Sequence, residues 1–264
     1  MIILKLGGSV ITKKEAKEPI LNHNNLNRIS TEISESSFDK LIIVHGAGSF
    51  GHPFASEYEI GKPINDEEDL EKKKIGFSIT QSWVKKLNTH VCDGLRENGV
   101  LAVSIQASSF VITKNKRIYS CNLDLIKRYL ELGFVPVIYG DVVLDMDESI
   151  KICVLSGDQI IQYLGENLKP EKVILGSDVD GIYTKDPKKY EDAELMELVT
   201  SCEDLKTEGS LNVDVTGGMH GKLQELLELA EMGVQSEIIN AEREGIIKKA
   251  INHEKVLGTV VKKL

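Results

Sequence analysis

Short apolar runs recur along the 264-residue chain, each bounded by small or polar residues. Continuous runs of this kind are typical of parallel strands that are buried on both faces. The last run is expected to form an edge strand. The predicted strands cover residues 2–6, 41–44, 101–105, 134–139, 172–177, 238–239 and 257–261.

Between these runs, apolar residues recur with the period of a helix. Leu26, Ile29 and Ile33 share one helical face, and a longer stripe runs from Ile79 to Leu95. Further helices are predicted at 123–132, 156–164, 223–230 and up to Ala250, whereas 10–14 and 108–119 are expected to form a hairpin arm and a hairpin. Alternating strands and helices predict an α/β fold, with a doubly wound, mainly parallel sheet sandwiched by helices.

Composition narrows the class of protein. A hydrophobic content of 41% is sufficient for a substantial core, and a net charge of −9 argues against nucleic acid or an anionic membrane as the main partner. No apolar run approaches the roughly 20 residues of a membrane span, and the first residues lack the features of a signal peptide. The four cysteines lie far apart, as expected for reduced thiols. We therefore expect a cytoplasmic protein.

The segment Gly46-Ala47-Gly48-Ser49-Phe50-Gly51 follows the second predicted strand. A glycine-rich backbone that enters a helix offers N–H groups to an anion. The segment spells GxGxxG, but the acids at 66–71 lie in a charged helical run, not at the end of a following strand as a dinucleotide site requires. It is not a P-loop either, because His52-Pro53 stands where Lys-Ser/Thr is needed. A plain strand-to-helix turn remains an alternative.

Other strand ends carry similar features. Lys5 interrupts an apolar strand just before Gly7-Gly8-Ser9, and a buried cation there requires an anion or a path to water. Gly157-Asp158 opens a helix, where the aspartate could be only a capping acid. Thr216-Gly217-Gly218 precedes a helix that contains Lys222. Glycine turns accompanied by Lys or His are what a phosphate-rich site needs in an acidic protein.

Taken together, these motifs resemble the amino acid kinase family, in order and over essentially the whole chain. Gly48-Ser49-Phe50-Gly51-His52-Pro53 is similar to the isopentenyl phosphate kinases within it, whose acceptor is an alkyl phosphate. The resemblance implies one domain over 1–264, with an acceptor half at about 1–165 and a nucleotide half at about 166–264. It also implies ATP and Mg²⁺, with the metal bound chiefly by the nucleotide and not by protein ligands, and a homodimer.

The resemblance further implies roles for individual residues. Lys5 and Lys14 would bridge the transferring phosphoryl group, Asp158 would hold these lysines, and His52 would donate a hydrogen bond to the acceptor phosphate. The nucleotide would be bound by Lys5, Gly7, Gly8, Ser9, Gly48, Asp178, Gly217, Gly218 and Lys222. The acceptor phosphate would contact Ala47, Gly48, Gly51, His52, Gly140 and Gly157, and the acceptor tail would contact Phe77, Trp83, Val84 and Ile152.

Four other functions stay open at this stage. A fosfomycin-type phosphonate kinase shares the fold and the histidine-bearing loop, and a carboxylate kinase shares the fold but does not need His52. A sensor that binds a nucleotide or an amino acid without catalysis has no need for the full set Lys5, Lys14, Asp158 and Lys222. A dinucleotide oxidoreductase is the most distant. The polar, lysine-rich arm at 11–20 is a candidate lid, which labelling of Lys13 and Lys14 with and without substrates would test.

Overall fold

The computed structural model describes residues 1–13, 18–185, 187, 189–201 and 217–263, with only the backbone described at 217–222. Its strands are β1 (Ile2–Leu6), β2 (Leu41–His45), β3 (Ala102–Ile105), β4 (Val111–Lys114), β5 (Arg117–Cys121), β6 (Val135–Tyr139), β7 (Asp141–Leu144), β8 (Ile152–Leu155), β9 (Lys172–Ser177), β10 (Ile182–Tyr183), β11 (Leu195–Met196), β12 (Leu198–Val199), β13 (Gln235–Asn240) and β14 (Gly258–Val261). Its α-helices are α1 (Gly8–Ile11), α2 (His23–Ser34), α3 (His52–Glu57), α4 (Glu67–Glu97), α5 (Leu123–Glu131), α6 (Gly157–Leu168), α7 (Gly217–Glu231) and α8 (Ile246–Ile251).

Eight strands of the described chain form the central sheet, in the order β12-β14-β13-β9-β1-β2-β6-β3. The six strands from β13 to β3 are parallel to one another. Strand β14 is antiparallel to β13, and β12 is parallel to β14. Because the carboxyl ends of the six parallel strands lie at one edge of the sheet, the turns that follow them meet there.

Helices cover both faces of the sheet. Side chains alternate between the faces along a strand, and in β1 Ile3 belongs to one core whereas Leu4 belongs to the other. The first core includes apolar side chains of α5, α6 and α7, and the second includes those of α1, α2, α4 and α8. The fold is therefore the three-layer α/β/α arrangement that the sequence predicts. No helix among the described residues is both long and apolar enough to cross a membrane.

The hairpin at 108–119 is confirmed as β4 and β5. These strands pair antiparallel, and the two residues between them, Asn115 and Lys116, have φ values of 51° and 64°. Two consecutive positive φ values are typical of a type I′ turn, whose twist matches that of the flanking strands.

Two local expectations need correction, and one hairpin was missed. Residues 8–11 form α1, because Val10 and Ile11 are buried and the Thr12 amide bonds back to the Gly8 carbonyl. The arm predicted at 10–14 therefore begins only at Thr12, which forms an antiparallel bridge with Leu21. Strand β14 is not the edge of the sheet, since the two-residue β12 lies outside it. The antiparallel hairpin of β7 and β8 was not predicted at all.

Candidate active site

A cavity of about 490 Å³ opens at the carboxyl edge of the sheet. Its wall is formed by the turns after β1, β2, β6, β8 and β9 and by parts of α3 and α4. Lining residues singled out from the sequence are Lys5, Gly7, Gly8, Ser9, Ala47, Gly48, Gly51, His52, Val84, Gly140, Gly157, Asp158 and Asp178. The structure therefore brings together residues that are up to 173 positions apart, from Lys5 to Asp178.

Two glycine turns lie directly against each other in this wall. The Gly46 amide donates to the Leu6 carbonyl at 2.9 Å, which extends the pairing of β1 and β2 into the turns. A Cβ atom on Gly8 would lie 2.4 Å from the Gly48 nitrogen, so no side chain fits between the two backbones. Gly48 also has a φ of +51°, a conformation that glycine adopts without strain. The glycines are required because two backbones share one narrow space.

His52 stands where the second glycine turn becomes helical. His52 is the first residue of α3, and Gly51 occupies the N-cap position. The exposed side chain of His52 borders the cavity. Gly51 lies tightly against the turn, because a Cβ there would come within 2.5 Å of the Ala47 Cβ and 2.9 Å of a Val84 methyl group. His52 is thus placed at the mouth of the glycine turn.

Lys5 forms an ion pair with Asp158 across the floor of the cavity. The lysine is only 5% exposed, and Asp158 lies in the first turn of α6. Asp158 does not cap that helix, because the Ser156 side chain accepts the Gln159 amide at 3.1 Å. Gly157 gives the lysine room, since a Cβ at this position would lie 3.3 Å from Lys5 Cε. The buried cation predicted from the sequence therefore has its anion, and the capping alternative is wrong.

A hydrogen bond joins the turns after β1 and β9. The Ser9 hydroxyl donates to Asp178 Oδ1 at 3.1 Å, and the Ser177 hydroxyl approaches the same oxygen at 3.3 Å. Asp178 is half-buried. This contact places a carboxylate beside the first glycine turn, on the side opposite the second one.

The apolar end of the cavity differs from the expectation. Val84 lines it, together with Ala55, Thr80, Val142 and Val154. The other three predicted tail contacts do not reach the wall. Phe77 and Ile152 pack one layer behind it, in a cluster with Ala55 and Val142. Trp83 points elsewhere, stacked on Phe54 at 5.7 Å with the Lys86 ammonium 3.9 Å from its ring centre.

For some predicted residues the structure describes no side chain. Gly217 and Gly218 are the first residues of α7, and Lys222 lies in the same helix. Only the backbone is described at these three positions. Lys14 lies outside the described residues, as do residues 15–17 of the proposed lid at 11–20. Within the described part of the chain, no three His, Cys, Asp or Glu side chains are placed to hold a metal ion.

His45 and Asp141 flank the glycine turn from below. Burial lowers the pKa of His45 to about 4, partly offset by its hydrogen bond to the Gly46 carbonyl. Asn88 donates to the other ring nitrogen at 3.1 Å, so the neutral ring carries its proton on Nδ1. Burial also raises the pKa of Asp141, whose carboxylate accepts the Ser108 and Val142 amides. Asp141 borders the cavity but was not among the predicted site residues. Its position just after a strand end was the only feature of the sequence that could have identified it.

We expect His45 to make stability depend on pH. Its pKa is lower in the folded state than the unfolded value of about 6.5, so protonation favours unfolding. The stabilising contribution is complete above pH 6.5 and is lost as pH falls towards 4, with a total of about 3 kcal/mol. Urea titrations of the wild type and His45→Gln between pH 7.5 and 4 would measure it. Parallel pH profiles for the two proteins would contradict this assignment.

The described cysteines are free thiols. Cys92 and Cys153 are buried and Cys121 is half-buried, and burial raises the pKa of each to about 11. Thiols with such pKa values are poor nucleophiles at neutral pH. The fourth, Cys202, lies outside the described residues.

Comparison with known proteins adds to this geometry. The model of the amino acid kinase family matches residues 1–240. This chain belongs to the amino acid kinase family. Among curated members, it is 56% identical over 260 residues to the isopentenyl phosphate kinase of Methanothermobacter thermautotrophicus, which covers 98% of each chain. It is 36% identical over 236 residues to that of Methanocaldococcus jannaschii, covering 84% of this chain and 85% of the relative.

A solved amino acid kinase structure gives the same result in three dimensions. A structure described as isopentenyl phosphate kinase superposes with a TM-score of 0.91 at 53% identity, covering 99% of this chain and 100% of the other. Both the family and the relatives within it agree with the resemblance inferred from the glycine turns and His52.

Proposed function

We propose that this chain is a kinase that transfers the γ-phosphoryl group of ATP to the phosphate of isopentenyl phosphate, giving isopentenyl diphosphate and ADP. The observation that carries the proposal is the division of one cavity into two parts. Glycine turns, Lys5 and His52 form one part, which suits phosphate groups. Val84, Ala55, Val142 and Val154 border the other, which suits a short alkenyl chain. Curated relatives with this name support the same assignment.

The proposed reaction needs positioning and charge neutralisation more than a base. The second pKa of a phosphate monoester is near 6, so its attacking oxygen is already ionised at neutral pH. Two anionic groups must nevertheless approach each other, and the buried Lys5 ammonium would offset their repulsion. Asp158 would keep this ammonium directed into the cavity. Its role is orientation, not proton abstraction.

Backbone groups would hold the transferring phosphoryl group. The N–H groups of Gly8, Ser9 and Gly48 lie on the two facing turns and are prepared for a tetrahedral anion. His52 would donate to a non-attacking oxygen of the acceptor phosphate, beside the backbone of Ala47, Gly51, Gly140 and Gly157. A carboxylate acceptor would offer fewer oxygens to this set.

Magnesium fits the site as a partner of the nucleotide. Three described carboxylates line the cavity, and each is engaged: Asp158 by Lys5, Asp178 by Ser9, and Asp141 by the Ser108 and Val142 amides. Mg²⁺ would therefore be bound chiefly by the ATP phosphates, where it supplies further neutralisation of charge. Asp178, Gly7, Gly217, Gly218, Lys222 and Lys14 are proposed to complete the phosphate contacts. We further propose that the acceptor is bound by a half of the chain at about 1–165 and the nucleotide by a half at about 166–264. The protein is proposed to act as a cytoplasmic homodimer.

An ADP-release assay with ATP and Mg²⁺ tests the function directly. Isopentenyl phosphate, fosfomycin, aspartate, glutamate and uridine monophosphate are compared as acceptors. We expect turnover of isopentenyl phosphate and a loss of about 10²–10³ in kcat/KM for His52→Ala, because one donor to the acceptor phosphate is removed. His90→Ala is the matched control, since His90 is an exposed residue of α4 outside the cavity.

Two outcomes of this assay would redirect the assignment. Turnover of fosfomycin in place of isopentenyl phosphate would keep the mechanism and identify a phosphonate kinase. No turnover of any acceptor would favour the non-catalytic sensor. Equal activity of His52→Ala and His90→Ala would remove His52 from the acceptor site.

A further inference from the structure

We propose that Thr12 is a positioning residue that fixes the separation of the two glycine turns and links both to the segment that follows α1. The inference rests on the proposed function, because its effect on rate requires that the two turns hold two phosphate groups. Thr12 lies outside the cavity wall and was not singled out from the sequence. Its contacts assign it this role.

The Thr12 side chain joins the two turns with both of its hydrogen-bonding capacities. Its hydroxyl donates to the Gly8 carbonyl at 2.7 Å and accepts the Ser49 amide at 3.1 Å. Gly8 belongs to the first turn and Ser49 to the second. Thr12 is only 1% exposed, so water does not replace these contacts easily. One hydroxyl can serve as donor and acceptor at once, which a methyl group in its place cannot do.

The space around this hydroxyl leaves little freedom. A Cβ atom on Gly48 would lie 2.1 Å from Thr12 Oγ1. The hydroxyl therefore occupies the volume in which a side chain at position 48 would stand. Since Gly8 and Gly48 are themselves in close contact, Thr12, Gly8 and Gly48 determine one another's positions. A displacement of one turn relative to the other must break a contact of Thr12.

Thr12 and Ser49 also contact the two ends of the segment that follows α1. Thr12 bridges Leu21, and the Lys13 amide donates to the Ile20 carbonyl at 2.9 Å. The Ile20 amide in turn approaches the Ser49 hydroxyl at 3.3 Å. The chain thus leaves the site at Thr12 and returns beside Ser49, the residue that Thr12 binds. The segment between them contains Lys14, which is proposed to contact the transferring group.

This arrangement predicts an effect on rate more than on binding. Each turn alone still offers its N–H groups to a phosphate when Thr12 is altered. Transfer between two phosphates, however, depends on their relative placement, and a misplacement of about 1 Å costs about 10²-fold in rate. A variant that loosens the connection should therefore lower kcat and leave both KM values nearly unchanged.

Three variants test this inference. Thr12→Val removes the hydroxyl at nearly constant shape, and Thr12→Ser retains it. Thr113→Val is the matched control, because Thr113 is also fully buried and its hydroxyl bonds to Leu144 and Asp145 away from the cavity. We expect kcat to fall about 10²-fold in Thr12→Val, with both KM values within about threefold of wild type. Thr12→Ser should recover most of kcat, and Thr113→Val should lower the melting temperature without lowering kcat.

Amide hydrogen exchange tests the role of Thr12 whichever phosphate-acceptor substrate the enzyme uses. In Thr12→Val the Ser49 amide loses its acceptor, so exchange in the peptide that contains 46–51 should become about tenfold faster. A folded Thr12→Val with wild-type kcat and wild-type exchange would overturn the inference. A wild type that turns over no acceptor contradicts the proposed function instead, and exchange at 46–51 then still tells whether Thr12 holds the turns together.

Discussion

Replacement of Lys5 by methionine is expected to lower kcat for isopentenyl phosphate by about 10³-fold or more. Methionine keeps most of the length and apolar contact of the lysine stem but removes its charge. Lys5 is the buried cation at the floor of the cavity, where the low dielectric strengthens its attraction to the transferring group. Cationic groups that neutralise a transferring phosphoryl group contribute about 10³–10⁵ in rate. The measurement is kcat from ADP release at saturating ATP and acceptor.

Two further variants separate this effect from a loss of stability. Lys5→Met leaves Asp158 without its cation, so we expect Lys5→Met/Asp158→Asn to regain stability but no activity. Lys172→Met is the matched control, because Lys172 is a buried strand lysine that pairs with Glu237 near the opposite end of the sheet. It should lower stability and leave kcat of the folded protein within a few fold. A folded Lys5→Met that retains a tenth of wild-type kcat would contradict the role of Lys5.

Replacement of Gly8 by alanine should reduce kcat by at least about 10²-fold and destabilise the protein by about 1–3 kcal/mol. The new Cβ would lie 2.4 Å from the nitrogen and 2.6 Å from the Cα of Gly48, and backbone atoms cannot rotate away. Gly8 is the first residue of α1, where alanine is intrinsically preferred over glycine by about 1 kcal/mol. Any destabilisation therefore reports the collision of the two turns. Chemical unfolding and ADP release measure the two effects.

Gly94→Ala is the control for this substitution. Gly94 lies within α4, and the nearest atom to its added Cβ is the Ser30 hydroxyl at 3.1 Å, which can rotate. Its stability should change by less than about 1 kcal/mol and its kcat should not change. If Gly8→Ala behaved in the same way, the close approach of the two turns would not be needed for transfer.

The glycine-rich end of the cavity could be predicted from sequence because its signals are local. A lysine in an apolar strand, glycines at strand ends and a histidine within a glycine turn each depart from ordinary strand or helix patterns. Parallel strands then bring their carboxyl ends to one edge, so Lys5, Gly48 and Asp158 converge without knowledge of side-chain directions. Even so, their chemical roles came from the family resemblance and not from spacing.

The apolar end was predicted less well because helix direction was not known. Trp83 and Val84 are neighbours in α4, so their side chains point about 100° apart. The apolar stripe identifies a buried face but not which part of it borders a cavity. That choice depends on the β7–β8 hairpin, whose Val142 and Val154 complete the wall and which the sequence pattern did not reveal. The sequence interpretation consequently assigned Phe77 and Ile152 to the cavity wall, whereas they pack one layer behind it.

The prediction of an extended arm directly after β1 was wrong at residues 10–11 for a different reason. Val10, Ile11 and Thr12 are three consecutive β-branched residues, which favour an extended strand. Burial of the two aliphatic side chains and the contacts of Thr12 with both turns override that preference. Contacts between residues 37 positions apart, such as Thr12 and Ser49, leave no signal in a local pattern.

The pairing of β1 with β2 has a consequence for how acceptor preference can change. Neighbouring strands of any sheet lie about 4.8 Å apart, and the turns after β1 and β2 inherit this spacing through the bond from Gly46 to Leu6. In the proposed reaction, the distance across which the phosphoryl group moves would therefore be set by the main chain of the two turns and held by the Thr12 hydroxyl between them. Substitutions at Val84 or Val154 can remodel the apolar part of the cavity without altering that distance. Acceptor specificity and transfer geometry can consequently diverge independently during evolution.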